Sequence, residues 1–308
     1  MTDSVAELPA RRFLHVCYCC DDASIVTDFF VNNFKMKNTM RTTDQYSSGA
    51  ILGIDRDVRS VGSFVYDQRG PRTSPAIEIQ GWFDPAPVGQ PSTDPFRIGI
   101  KSLGLSVPNI EAALNSLISA GCRVLSRSAS VFDTKVASVI DPNDVTLEIV
   151  EDEKLPITDT QMHHLRLTIT DIETSLPFYE NLGFVVLSRG AINDGAFLGI
   201  TTPVEGEFVR LRLPDEPFEL RLVQWIQPTA NGKHYKEPFH RGIFRVALGV
   251  DDTRSTYEEM CSNGAIFDRP PMQVELSGTP VPDMWITFIS DPDSIAYEFV
   301  QRPRSAFR

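Results

Sequence analysis

Residues 164–185 of this sequence read HLRLTITDIETSLPFYENLGFV, and they repeat the pattern of residues 15–36, which read HVCYCCDDASIVTDFFVNNFKM. Each stretch has an apolar strand that contains a His, an Asp seven residues later, and a helical segment with two adjacent aromatic residues. The closing segments also agree, since DPNDVTLEIVE at 141–151 matches DPDSIAYEFVQ at 291–301. Because both ends of the two halves correspond, we predict a tandem repeat.

Each half contains a second, weaker copy of the strand–helix unit, at residues 101–125 and 244–267. In the first copy, Leu103, Leu105 and Val107 alternate with polar or small residues, which is typical of a strand. The following apolar residues have helical spacing. We therefore predict four βαβββ modules in an α+β fold. The predicted modules are residues 12–84 and 98–151 in an N-terminal domain (1–151), a linker at 152–160, and residues 161–228 and 240–303 in a C-terminal domain (161–308).

Composition excludes several classes of function. The 29 Lys and Arg against 41 Asp and Glu give a net charge of −12, with no basic tract, so nucleic acid and anionic membranes are not expected as partners. No apolar run approaches the ~18 residues that span a bilayer, and the N-terminus lacks an apolar signal core. The five cysteines do not form a disulfide pattern. We predict a cytoplasmic monomer or homodimer that binds a small molecule.

The opening His…Asp pattern, the S-x-x-F-Y and L-G-F motifs at 175–184, and the closing D-P-[ND]-x-x-x-x-E resemble the vicinal oxygen chelate superfamily. Its members include glyoxalases, bleomycin-resistance proteins and extradiol dioxygenases. The resemblance implies two glyoxalase-like domains with curled mixed sheets around clefts. It also implies up to four ligand positions for a divalent metal, taken from the first and last strands of the modules.

The first half places His15, Glu78, Ser102 and Glu148 at these four positions. The resemblance thus implies a metal site of His15, Glu78 and Glu148 for Fe, Mn, Zn, Ni or Mg, or no metal at all. Glu78 or Glu148 would act as general base, and Ser102 would bind substrate or a metal-bound water. The expected lining of the substrate pocket is Cys17, Cys19, Gly104 and Trp82.

The second half differs at the same positions, which hold His164, Arg221, Arg245 and Glu298. A guanidinium has no lone pair and cannot bind a metal. Glu219 lies two residues before Arg221 and is a possible substitute for it as a ligand. We expect this second cleft to be a degenerate copy that forms cleft walls or binds an anion.

The resemblance leaves two arrangements of the modules open, because some family members pair modules within a half and others exchange them. Exchange would combine His15 and Glu78 with Arg245 and Glu298. Under either arrangement, only one cleft keeps three potential ligands, and it contains His15 and Glu78.

The leading hypothesis is a metal-dependent enzyme, either an isomerase, a lyase or a ring-modifying dioxygenase, that acts on a small oxygenated and potentially aromatic metabolite. One alternative is a metal-free binding or sequestration protein of the bleomycin-resistance type. A further alternative is a divergent extradiol dioxygenase with its site in the C-terminal half.

Overall fold

The computed structural model describes residues 9–132, 134–281 and 283–302. The ends of the predicted domains at 1–8 and 303–308 therefore lie outside the described residues. The helices are α1 (Ala23–Phe34), α2 (Ile110–Ser119), α3 (Ile172–Leu182) and α4 (Thr253–Ser262). The strands are β1 (Arg12–Cys20), β2 (Lys37–Arg41), β3 (Gln45–Ser48), β4 (Asp57–Tyr66), β5 (Ala76–Asp84), β6 (Gly99–Val107), β7 (Arg123–Val131), β8 (Thr134–Ile140), β9 (Thr146–Glu151), β10 (Gln161–Ile169), β11 (Val185–Ile192), β12 (Glu205–Arg212), β13 (Glu219–Gln227), β14 (Gly242–Val250), β15 (Phe267–Val274), β16 (Met284–Ser290) and β17 (Ala296–Gln301).

A polar residue begins each helix and explains the repeated acidic residue of the sequence. The N-caps are Asp22, Asn109, Asp171 and Asp252, and each side chain accepts a hydrogen bond from a backbone N–H of the first helical turn. Such caps satisfy N–H groups that have no partner within the helix. The Asp or Asn that stands seven residues after each candidate ligand position of a first strand is therefore the N-cap of the following helix.

The strands form two mixed sheets, which confirms the predicted fold class. The first sheet has nine strands in the order β15-β16-β17-β14-β1-β5-β4-β2, with β3 also paired to β4. The second has eight strands in the order β11-β12-β13-β10-β6-β9-β8-β7. At the centre of each sheet, the first strands of two modules pair antiparallel. These pairs are β1 with β14 and β10 with β6.

These orders show that the halves exchange modules. The first sheet combines strands β1–β5 with β14–β17, and the second combines β6–β9 with β10–β13. Of the two arrangements that the sequence left open, the exchanged one is therefore observed, and no half forms a sheet and cleft of its own. Only residues 152–160 separate β9 from β10, and a connection this short keeps the two strands in one sheet, where β6 lies between them. This short connection favours a sheet shared by the second and third modules.

One continuous core joins the two sheets. It contains apolar residues of both sheets, such as Val16 and Leu103, together with residues of the helices, such as Phe30 and Leu176. Each sheet has a separate apolar cluster on its concave face, with Trp82 in the first and Trp225 in the second. Among the described residues, no helix is long and apolar enough to cross a membrane.

Candidate active site in the cleft of the first sheet

Four adjacent strands at the centre of the first sheet carry the polar side chains of its cleft. Strands β5, β1, β14 and β17 contribute Glu78, His15, Arg245 and Glu298, respectively. All four side chains are buried, at 4–9% exposure. Since buried ionisable groups are costly unless they are paired, the four must be considered as one unit.

Two β-bulges direct side chains of this unit into the cleft. The register of the β1–β14 pair shifts beside His15 and again beside Arg245. As a result, the consecutive residues Leu14 and His15 both line the cleft, and so do Phe244 and Arg245. In a regular strand, consecutive side chains point to opposite faces. Bulges next to active sites commonly redirect side chains in this way.

The imidazole of His15 lies between the carboxylates of Glu78 and Glu298. Its Nε2 atom is 3.2 Å from Glu78 Oε2 and 3.5 Å from Glu298 Oε2. Neither contact has the geometry of a hydrogen bond, and His15 Nε2 is a buried polar atom without such a partner. One potential ligand atom from each residue lies within 4.8 Å of the other two, which makes this group a candidate metal site.

These three residues fit a divalent ion in both chemistry and spacing. One imidazole nitrogen and two carboxylate oxygens suit a hard or borderline divalent metal. With metal–ligand bonds of about 2.1 Å, neighbouring ligand atoms are roughly 3.0 to 3.4 Å apart in octahedral and tetrahedral sites. The distances from His15 Nε2 to the two carboxylates are close to this range.

Arg245 occupies the fourth position and is already paired with both carboxylates. Its Nη2 donates to Glu78 Oε2 and its Nε donates to Glu298 Oε2, each at 2.8 Å. Its Nη1 donates to Cys17 Sγ at 3.1 Å and to Gln80 Oε1 at 3.3 Å. The guanidinium therefore holds the same two carboxylate oxygens that lie nearest to His15 Nε2.

The electrostatics of the unit favour positive charge next to the two carboxylates. Burial alone would raise the pKa of Glu78, but Arg245 and His15 outweigh it and lower that pKa to about 2. Burial likewise opposes ionisation of Glu298, yet Arg245 and His15 keep its pKa below the ordinary value. Burial would lower the pKa of His15, whereas Glu78 and Glu298 raise it to about 9. Both carboxylates are therefore ionised.

Three pockets give access to this unit from the concave side. The first, of about 130 Å³, reaches Glu78, Gln80, Arg245 and Glu298. The second, of about 70 Å³, reaches His15 together with Glu78 and Glu298. The third, of about 360 Å³, adjoins the first at a short 3-10 helix, Ala50–Leu52, whose Ile51 and Leu52 line both. A ligand of a few atoms can therefore reach the unit.

The predicted pocket residues are buried below these openings. Cys17, Cys19 and Trp82 belong to the apolar cluster of the concave face and are at most 1% exposed. The two thiols lie 3.8 Å apart, and Arg245 contacts one of them. Their contact with substrate stays a prediction.

Glu148 does not join His15 and Glu78, so the predicted metal site of these three residues is wrong. Glu148 lies on β9 in the second sheet, because the modules are exchanged. It is fully buried and accepts hydrogen bonds from Ser102 at 2.5 Å and from Arg166 at 2.5 Å, and its other oxygen lies 2.8 Å from His164 Nε2. Ser102 therefore binds Glu148 rather than lying beside the first cleft.

Gly104 also belongs to the second cleft, which corrects its place in the predicted pocket. A Cβ atom at Gly104 would lie 2.0 Å from His164 Nδ1, so this position has to be glycine for the imidazole to pack. Burial lowers the pKa of His164 to about 4 despite the adjacent Glu148. His164 is therefore a neutral, enclosed group.

The remaining positions of the second cleft hold ion pairs. Arg221 occupies the place that corresponds to Glu78, since Arg166 pairs with Arg221 as Cys17 pairs with Glu78. Glu219 binds Arg210 at 2.7 Å and Arg221 at 3.2 Å.

Within residues 9–132, 134–281 and 283–302, three potential ligands converge only at His15, Glu78 and Glu298. The extradiol alternative in the C-terminal half is wrong, because His164 and Glu298 lie on different sheets.

Sequence reasoning missed two residues that hydrogen-bond to the charged side chains of the clefts. Arg166 binds Glu148, and Gln80 binds Arg245. Each lies two residues from a predicted position, His164 or Glu78, and therefore on the same strand face. That spacing was the available signal for both.

Comparisons with known proteins agree with this architecture. The family model described as Glyoxalase/Bleomycin resistance protein/Dioxygenase superfamily matches residues 161–299. The lactoylglutathione lyase of Schizosaccharomyces pombe (strain 972 / ATCC 24843) is 24% identical over 219 residues, which are 68% of this chain and 69% of that protein.

Solved structures share the fold over nearly the whole chain. Glyoxalase I from Zea mays has a TM-score of 0.69 at 17% identity, and the match covers 96% of this chain and 93% of that one. A putative dioxygenase from Bacillus subtilis subsp. subtilis str. 168 has a TM-score of 0.61 at 14% identity, covering 96% and 87%. At these identities the likeness concerns the fold. Residues 161–299 therefore match the glyoxalase/bleomycin resistance protein/dioxygenase superfamily, and the chain as a whole shares the fold of glyoxalase I.

Proposed function

We propose that this protein is a divalent-metal-dependent enzyme of the vicinal oxygen chelate type, with its active site in the cleft of the first sheet. The observation that carries the proposal is the convergence of His15, Glu78 and Glu298 within 4.8 Å at the floor of an accessible cleft. His15 Nε2 has no hydrogen-bond partner there, and a divalent ion that displaces the proton of the imidazole would become its partner.

His15, Glu78 and Glu298 would hold the ion, which would supply Lewis-acid polarisation of a substrate oxygen. Arg245 would keep both carboxylates ionised and oriented. The carboxylate of Glu78 or Glu298 would move the proton of a carbon next to the polarised carbonyl, which is ordinary general-base chemistry for a positioned carboxylate. The apolar cluster around Trp82 would exclude water from the floor.

An isomerase or lyase is the class we propose. Non-haem iron oxygenases commonly use two His and one carboxylate, whereas this site has one His and two carboxylates. Proton transfer also suits a site with two carboxylates. The lyase class is also that of the Schizosaccharomyces pombe relative, a lactoylglutathione lyase that matches 68% of this chain.

Arg245 favours a second candidate function, a metal-free binding protein of the bleomycin-resistance type. Its guanidinium already neutralises charge on Glu78 and Glu298 without a metal. Under this candidate, the cleft would bind its ligand beside a permanent ion-pair cluster.

Elemental analysis separates the two candidates. Protein purified without chelator should contain about one divalent ion per chain, and His15→Ala and Glu298→Gln should each lower that content at least tenfold. His164→Ala is the matched control, because His164 is the equivalent residue of the second sheet and should leave the ion bound. Metal well below stoichiometry in the wild type, or metal unaffected by His15→Ala, would favour the metal-free candidate.

A further inference from the structure

The cleft of the first sheet has a surplus of cationic side chains, although the chain has a net charge of −12. Six cationic residues line its three pockets within the described residues: Arg12, Lys233, Lys236, Arg245, Arg269 and Arg302. Four carboxylates line them: Glu78, Asp268, Glu275 and Glu298. A surplus of positive charge around a cleft on an acidic protein concentrates anionic ligands at the site.

Arg245 lies at the centre of this surplus. It is 4% exposed, and it lines the pocket of about 130 Å³ next to Glu78 and Glu298. A guanidinium keeps its charge at every accessible pH. A divalent ion, a neutral imidazole and two carboxylates together have no net charge. Arg245 therefore adds one positive charge at the place where a chelating ligand would bind.

The surroundings strengthen the effect of that charge. Arg245 is held by four partners on three strands, so its position is fixed before a ligand arrives. Cys17, which Arg245 contacts, belongs to an apolar cluster that also contains Trp82 and Ala247. Charges in such a partly dry site interact more strongly than in water. A fixed charge in a dry pocket discriminates between anionic and neutral ligands of equal shape.

We infer that the substrate is a small anion with a carboxylate next to a second oxygen, and that Arg245 is the residue that selects for its charge. This inference rests on the proposed function, because the bound divalent ion enters the charge count. A carboxylate with an adjacent oxygen can chelate an ion through two oxygens and at the same time neutralise the charge of Arg245. An amide of the same shape offers the oxygens without the charge.

Lactate and lactamide test the inference, because they have the same shape and differ in charge. Their dissociation constants would be measured by calorimetry on full-length protein loaded with Zn²⁺, for the wild type, Arg245→Met and Arg245→Lys. The ratio of the lactamide to the lactate constant should fall at least tenfold in Arg245→Met, which corresponds to about 1.4 kcal/mol. Arg245→Lys keeps the charge and should keep the ratio within about threefold. Arg245→Gln is the second neutral variant, for use where Arg245→Met does not fold.

Zinc content is measured on the same samples, so that the two proposals fail separately. If the wild type holds no zinc, the proposed function and the inference are both overturned. If zinc is held and the ratio is unchanged in Arg245→Met and Arg245→Gln, only the inference is overturned. A ratio that falls as far in Arg245→Lys as in Arg245→Met would also overturn the inference, since the charge of the side chain would then not be the cause. Arg189→Met changes an arginine that pairs with Glu173 on the exposed surface, and it should match the wild type.

Discussion

At the scale of single residues, Arg245 decides how the first cleft balances its charge. It donates to Glu78 and to Glu298, the same two carboxylates that would bind a metal with His15. The divalent ion and the guanidinium are therefore neighbouring counter-ions of one pair of carboxylates. Removing either of them changes what the other contributes to stability.

Replacing Arg245 with Met should destabilise the metal-free protein by about 3–5 kcal/mol, because two buried carboxylates lose their partner. Saturating Zn²⁺ should restore much of this loss, since the ion then neutralises the same carboxylates. Urea unfolding with chelator and with zinc measures both effects. An unchanged stability in chelator would contradict the pairing. Arg189→Met on the surface should change stability by less than about 1 kcal/mol.

Glu148→Gln tests the correction in the second cleft. The substitution should destabilise the protein by about 3–5 kcal/mol, because Arg166 loses the charge of its fully buried partner. Metal content per folded chain should stay at the wild-type level, since Glu148 lies on the other sheet from His15. Loss of bound metal from a folded Glu148→Gln variant would return Glu148 to the metal site.

The sequence predicted the residue types of the site better than their grouping. His15, Glu78 and Glu298 each stood at a predicted ligand position, and Arg245 was recognised as unable to bind a metal. Glu148 was grouped with the wrong partners, because a pattern along the chain does not say which strands become neighbours. Arg166 was missed, because its partner Glu148 is 18 residues away in sequence and on another strand.

At the scale of elements, the turn before the last strand of a module is built around a buried Asp. Asp291 accepts hydrogen bonds from the N–H groups of Asp293 and Ile295, and Tyr179 of α3 donates its hydroxyl to the same carboxyl group. Asp141 has the same arrangement with Tyr18. The D-P motif of the sequence therefore links modules that are consecutive in the chain but lie in different sheets.

This turn should make stability depend on pH. Burial outweighs the hydrogen bonds and raises the pKa of Asp291 from an ordinary 3.8 to about 7. Between these values the folded state holds a proton that the unfolded state has released, so stability falls as pH rises from about 4 to 7. Asp291→Asn removes this titration and should flatten the fall, as measured by urea unfolding across that range.

The control for this prediction is Asp55→Asn, at an exposed loop position, which should leave the pH profile unchanged. A profile of Asp291→Asn that still falls as steeply as the wild type between pH 4 and 7 would contradict the buried-acid account. Burial also raises the pKa of Asp141, to about 6, so the double variant should be flatter still.

Elements were predictable in type, whereas their irregularities were not. The apolar periodicity of the strands and the acidic N-caps Asp22 and Asp171 are visible in the sequence. The bulges beside His15 and Arg245 are not, because β1 and β14 are buried on both faces and a shift in their alternation leaves no mark on the sequence. These bulges arise from pairing between β1 and β14, which are more than 200 residues apart.

At the scale of the whole molecule, each sheet needs both halves of the chain. The pairs β1–β14 and β10–β6 join the halves through the centres of the two sheets. The sequence left this exchange open, since the same four modules can form two sheets in either arrangement. The choice depends on tertiary pairing and on the short connection at 152–160.

Cutting the chain between the halves should therefore leave the molecule intact. A protease site inserted at 152–160 and then cleaved should yield two fragments that elute together from a sizing column, with the metal retained. The reason is that separation would break both central strand pairs. Fragments that separate without denaturant, each folded, would contradict the exchanged arrangement.

The central claim is that His15 and Glu78 from one half and Glu298 from the other form a single metal site. The most direct test is a crystal of the full-length protein loaded with Zn²⁺, with anomalous diffraction measured at the zinc absorption edge. We expect one strong peak per chain in the first cleft, within about 2.3 Å of His15 Nε2 and of one oxygen each of Glu78 and Glu298. A peak beside Glu148 and His164, or no peak at either cleft, would contradict the account.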